Sequence, residues 1–157
     1  VACDPYFSIW SPGDRLTGQN GWTEIDGCPL YTNDDFPVSV QQFQDIMAKN
    51  PNLDAFIPTG GFPQFIPDAN RAAVEPYKDK IASKALALVV ADTLPVQIQQ
   101  MKEGLSLGQV GQRPFEMGYK TMMALKDIKE GKAPPADPTY TGLDVCTPET
   151  ADTCVGK

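Results

Sequence analysis

The 157 residues, 41% hydrophobic and 21% charged, have the composition of one globular domain with a core of its own. Twenty Asp and Glu against 13 Lys and Arg give a formal net charge of −7, which argues against nucleic acid because phosphate binding needs clustered cations. Histidine is absent, which removes Ser-His-Asp and Cys-His catalysis and every His-ligated zinc site.

Residues 1–27 follow no helix or strand period. Aromatic residues, Pro and Gly crowd Asp4 to Trp22, so this stretch reads as an irregular segment, foreign or truncated. From Cys28 to Tyr31 a short strand is predicted, entering the turn Thr32-Asn33-Asp34-Asp35. Pro37 starts a helix with Val40, Phe43 and Met47 facing inward, and Asn50-Pro51-Asn52 ends it. A strand from Leu53 to Pro58 then breaks into Thr59-Gly60-Gly61-Phe62-Pro63. The next helix, Pro67 to Lys80, must kink or divide at Pro76.

Leu86 to Ala91 is an unbroken apolar run of the kind that suits a parallel strand buried on both faces. Thr93 and Pro95 open the following helix and Gly104 closes it. Leu107 to Gly111 forms another strand, and Pro114 marks the next turn. The last helix shows a stripe of Phe115, Tyr119, Met122, Leu125 and Ile128, predicted to be buried, and Gly131 stops it.

Ala133 to Pro138 is a stiff Pro-rich linker, followed by a strand-like stretch from Tyr140 to Val145. Alternating strands and helices with short loops define an α/β fold: a doubly wound, mainly parallel sheet with helices on both faces. Residues 28–132 form this lobe, and 133–157 form the linker and tail.

Cys146 and Cys154 stand eight apart in a tail rich in Thr, Pro and Asp. A disulfide there would pin a segment with little core of its own, with free or metal-binding thiols as the alternative. Cys3 and Cys28 are a candidate second pair. Disulfides imply an oxidising compartment, so the periplasm is favoured. No apolar run approaches the ~18 residues that cross a bilayer. No secretory leader opens the chain, which reads as cytoplasmic or already mature.

In an open α/β sheet, ligands bind in the crevice beyond the carboxyl ends of the strands. Asp92 and Gln112 each end a strand there, and a carboxylate beside an amide suits a neutral polyhydroxylated ligand. Each has a plainer reading too. Asp92 could cap the helix near Pro95 and Gln112 could bond loop backbone. Phe36 could staple a helix start, Phe62 could pack its loop, and Arg15 could be a solvated charge.

Residues from about Cys28 to Cys154 resemble the C-terminal lobe of type I periplasmic sugar-binding proteins, the ribose-binding type that feeds ABC importers. The resemblance rests on Asn50-Pro51-Asn52-Leu53-Asp54-Ala55-Phe56, Val89-Val90-Ala91-Asp92, Met101-Lys102-Glu103-Gly104 and Gly111-Gln112-Arg113-Pro114-Phe115-Glu116-Met117-Gly118. It implies that Asp92 and Gln112 hydrogen-bond a sugar, that Phe36 stacks on its ring, and that Arg15, with Gly18, also reaches it.

The chain departs from that family's pattern in two places. Gly60-Gly61 replaces the usual Asn-Asp, which loses an amide ligand and leaves Phe62 as an apolar wall. Between Gly18 and Trp22 there is no room for the helix that normally follows the arginine.

Asp4 to Ser11 with Asp14-Arg15-Leu16 separately resembles the opening strand of glutaminase-type proteins. The expected function is solute binding, with no catalysis, cofactor or metal. The implied partners are a sugar or polyol, an N-terminal lobe, an ABC permease and a second copy forming a homodimer. The alternatives are a glutaminase-type amidohydrolase fragment and the effector lobe of a lactose-repressor-type regulator.

Overall fold

The computed structural model describes residues 16–154. Arg15, Cys3 and the glutaminase-like stretch, all but its last residue Leu16, lie outside them. Residues 16–24 fold back on themselves, with Thr17 bridging Thr23 and Leu16 buried. The strand expected from Cys28 to Tyr31 does not form. Pro29 has no N–H for a ladder, and the Tyr31 carbonyl instead accepts from Gln42 Nε2 at 2.9 Å.

Helix α1 spans Phe36–Lys49. Asp35 caps it, its Oδ1 accepting from the Val38 N–H at 2.9 Å, and Pro37 fits the first turn. The predicted inward positions Val40, Phe43 and Met47 are buried, joined by Ile46. Strand β1 is only Ala55–Phe56 and leads through Gly60-Gly61 into a 3₁₀ turn, Phe62–Phe65. Pro76 does divide the next helix: α2 covers Pro67–Val74, a 3₁₀ turn Glu75–Tyr77 follows, and α3 covers Lys78–Ala82.

Strand β2 (Ala87–Ala91), helix α4 (Pro95–Lys102), strand β3 (Gly108–Gly111), helix α5 (Pro114–Lys129) and strand β4 (Asp144–Cys146) complete the order. The strands lie β1-β2-β3-β4, the first three parallel and β4 antiparallel to β3. This is the mixed, mostly parallel open sheet with helices expected of an α/β lobe. The core joins α1, α2 and α3 to Leu86, Leu88, Val90 and Leu105.

Two burial expectations are corrected. Strand β2 is not buried on both faces: Leu88 and Val90 are buried, whereas Ala87, Val89 and Ala91 are half-buried. One side meets the helical core and the other is only partly covered. The α5 stripe is not buried either. Phe115 is 82% exposed and Met122 66%, and Tyr119, Leu125 and Ile128 are also exposed. Among the described residues no element packs closely along that helix. Phe115 and Tyr119 stack on each other, and Glu116 pairs with Lys120 at 2.9 Å along the surface.

The predicted disulfide Cys146–Cys154 is present, and with Ala151 it packs on Met101 and Ile98 in a second small cluster. Cys28 is also disulfide-bonded; its expected partner Cys3 lies outside the described residues.

Gly108 shows how tightly β4 lies on β3. A Cβ there would sit 2.9 Å from the backbone carbonyl oxygen of Cys146, and backbone cannot give way cheaply. Gly108→Ala should cost about 1–3 kcal/mol through overpacking. An unchanged denaturation midpoint would contradict this.

Arg71 on α2 grips Glu103 after α4 through two bonds, Nε to Oε2 at 2.7 Å and Nη2 to Oε1 at 3.1 Å. The Arg71 guanidinium, then the Gln99 amide, hold the Glu103 carboxyl below the usual glutamate range. A depressed folded-state pKa contributes stability above the unfolded pKa, and that contribution is lost as pH falls through the folded one. Wild type should therefore lose more stability than Arg71→Gln between about pH 6 and about pH 3. Parallel loss in urea titrations of both would remove the pair from the acid response.

Candidate functional site

The site is built at the carboxyl ends of β2 and β3. Asp92 follows β2 with φ of 72°, a left-handed conformation uncommon outside glycine. Its N–H still extends the ladder to the Val110 carbonyl at 2.8 Å. Its carboxylate is shared between two neighbours: Oδ2 accepts from the Gly61 N–H and Oδ1 from Gln112 Nε2, each at 3.3 Å. Both bonds are long. A carboxylate has about four acceptor positions, so lone pairs remain for hydroxyl donors.

The Asp92 carboxylate therefore joins the ends of β1, β2 and β3 at one point. The neighbouring wall is aromatic. Phe36 stands in the first turn of α1, 37% exposed, and Phe62 and Phe65 stand on the 3₁₀ turn. Phe36 stacks on Phe62 with centroids 5.9 Å apart and 15° between planes, and Phe65 meets Phe36 edge-on at 5.3 Å.

The structure thus gathers Asp92, Gln112, Phe36 and Phe62, four of the five sequence candidates; the fifth, Arg15, is not described. The plainer readings fit poorly for two of them. Helix α4 takes Leu94, not Asp92, as its N-cap, and Asp35 caps α1 so that Phe36 stands inside the helix rather than before it. A staple needs the residue before the cap.

Phe65 and the Gly61 amide were missed. Their signal was an aromatic three residues beyond Phe62 and a glycine whose backbone can approach a carboxylate. Also missed was a buried set of amides beneath the crevice: Gln64, Asn70, Gln97, Gln100 and Gln109, all under 5% exposed. Gln97 and Gln100 three apart on a helix, with Gln109 interrupting an apolar strand, could have pointed to it.

A separate cavity of about 100 Å³ lies along the outer edge of β1, lined by Ile25, Leu30, Leu53, Phe56 and Phe62 among others. Neither Asp92 nor Gln112 lines it. Among the described residues no group of His, Cys, Asp and Glu is arranged to hold a metal, and no helix is long and apolar enough to cross a membrane.

Residues 13–133 match the profile of the periplasmic binding protein domain, and the chain belongs to that family. Proteins of this family work outside the cytoplasm and are typically not enzymes. Among solved structures, the chain is similar to GanP, a glucose-galactose binding protein from Geobacillus stearothermophilus, with 26% identity and a TM-score of 0.58 over 71% of this chain and 37% of that one.

It is also similar in fold to an ABC transporter solute-binding protein from Agrobacterium vitis with bound D-fucose, at 20% identity and TM-score 0.65, covering 86% of this chain and 44% of that one. A second such protein from Agrobacterium vitis, bound with alpha-D-tagatopyranose, gives 19% identity and TM-score 0.62 over 79% of this chain and 39% of that one. The chain thus spans about two fifths of the length of these structures. Among curated proteins nothing matches.

Proposed function

We propose that this chain is one lobe of a periplasmic solute-binding protein that takes up a sugar or polyol for an ABC importer. One observation carries the reading. A strained, half-buried carboxylate, shared by Gly61 and Gln112, stands beside an aromatic wall at the strand ends. Asp92 and Gln112 accept from and donate to hydroxyls, Phe36 and Phe62 cover the apolar face of the ring, and Arg15 is a further candidate contact. No bond is made or broken. Closure against a second lobe completes the site, and the loaded protein then meets a permease. The disulfides support the periplasm and weigh against a cytosolic regulator.

With one wall open to water, each hydrogen bond to a sugar competes with solvent and is worth only ~0.5–1.5 kcal/mol. This chain alone should therefore bind monosaccharides at about millimolar affinity or weaker, and the same lobe joined to its second lobe far more tightly. Bare strand ends and apolar surface should also promote a homodimer. Titration calorimetry with D-galactose and D-fucose, alongside sedimentation, tests this. A strictly monomeric chain with micromolar affinity would show the lobe to be complete alone, and no binding in the two-lobed form would remove the sugar reading.

A further inference from the structure

We propose that Gln97 is the positioning residue that holds Asp92 and the aromatic turn in one fixed arrangement, an inference that rests on the sugar-binding reading for its purpose but on buried geometry for its substance. Gln97 is 0% exposed, in the first turn of α4, and its single amide spans the loop that carries Asp92. Nε2 donates to the Ala91 carbonyl at 2.8 Å, one residue before Asp92, and Oε1 accepts from the Leu94 N–H at 3.0 Å, two residues after it. Both ends of a left-handed turn are thereby tied to one side chain.

The same Nε2 donates to Gln64 Oε1 at 3.0 Å, and Gln64 lies within the turn that carries Phe62 and Phe65. Gly61 fits against this amide so closely that a Cβ would stand 2.6 Å from Gln97 Nε2. Gly61 is also the residue whose N–H reaches Asp92 Oδ2. Gln97 therefore touches three of the pieces that set the carboxylate: the backbone before it, the backbone after it, and the glycine that bonds it.

The rest of the network anchors Gln97 to the body. Gln100 Nε2 donates to the Gln64 carbonyl at 2.8 Å, and Asn70 Nδ2 donates to Gln100 Oε1 at 2.9 Å. The surroundings of Gln109 turn its amide so that Oε1 accepts from Ser106 Oγ at 3.1 Å and Nε2 donates to the carbonyls of Val90 at 3.0 Å and Asp92 at 3.1 Å. No buried side-chain polar atom among the described residues lacks a partner. A network satisfied throughout is rigid, whereas a half-satisfied one is costly. Apolar residues would fill the same space without fixing the turn.

The test is Gln97→Met, which keeps the volume and removes both ends of the clamp. In this chain, amide hydrogen exchange at Gly61 and Leu94 should speed up by about tenfold or more relative to Val90 in the core strand. In the two-lobed protein, affinity for D-galactose or D-fucose should fall about tenfold in the wild-type background but hardly at all in an Asp92→Ala background, because the effect runs through Asp92. A purely structural role would lower affinity equally in both.

Unchanged exchange at Gly61 overturns the proposal, as does equal loss of affinity in the two backgrounds. If neither sugar binds the wild type, the sugar reading fails, and exchange at Gly61 alone decides whether Gln97 fixes Asp92. Should Gln97→Met fail to fold, Gln97→Asn keeps an amide but shortens it by one methylene so that it no longer spans Ala91 and Leu94, and it is judged by the same measurements.

Discussion

Asp92→Ala should weaken sugar binding in the two-lobed protein by about tenfold to a hundredfold and leave the lobe folded. Hydrogen bonds to a charged group contribute ~1.5–3 kcal/mol, and each 1.4 kcal/mol is about tenfold in affinity. The carboxylate already shares itself between Gly61 and Gln112 at 3.3 Å, so its removal also frees the Gln112 amide to wander.

The backbone supplies a second, opposite signal. At φ of 72° an alanine is strained, whereas glycine is at ease and asparagine tolerable. Asp92→Gly should therefore match or exceed wild type in thermal stability while losing the same affinity as Asp92→Ala. Strain retained where it serves binding is the expected pattern at a functional site. Calorimetric titration paired with thermal melts decides it. Unchanged affinity in both variants removes Asp92 from the site, and a marked fall in stability of Asp92→Gly would show the carboxylate to be structural instead.

Cutting Cys146–Cys154 should release the tail and leave the sheet. Closing a loop this short contributes roughly 2–3 kcal/mol by the chain-entropy estimate. The bond holds Cys146 at 0% exposure against Met101, where β4 pairs with β3 in the register Gln109 to Cys146 and Gly111 to Asp144. Among the described residues two ion pairs still tie this segment to the lobe, Arg113 Nη2 to Asp144 Oδ1 at 2.8 Å and Lys102 Nζ to Asp152 Oδ1, so the strand should loosen first at its Cys146 end.

Because reductant would also open the bridge at Cys28, the clean comparison is the double variant Cys146→Ser, Cys154→Ser. Limited proteolysis should cut it after Pro138 at protease levels that spare the wild type, with the strand peptides intact. Free thiols at both positions in native protein, or equal resistance in the two proteins, would defeat the expectation.

Local signals carried most of the fold. The cap at Asp35, the period of Val40, Phe43 and Met47, the break at Pro76 and the glycine after α4 all act within a few residues, and all were legible. What failed depends on who covers whom. The run ending at Asp92 cannot say that only its Leu88 and Val90 side meets helices, and the α5 stripe cannot say that no described element packs closely over it.

The site divides the same way. Asp92 and Gln112 could be read because each ends a strand, and Phe36 and Phe62 because a family resemblance carried them. The amides beneath could not. Their meaning lies in partners 30 to 45 residues away in sequence, Asn70 donating to Gln100 and Gln64 donating to Gln109, which only the folded packing brings together.

Helix α5 has sixteen residues and no buried side chain. That is near the length at which a lone helix is marginal in water. Its backbone should therefore open and reclose without disturbing β2 and β3, which would place it outside the cooperative unit that melts with the core. Anything that covers Phe115, Met122 and Leu125 would draw the helix into that unit. The apparent melting point of the lobe would then rise with the concentration of its cover, by mass action rather than by any change in its own core.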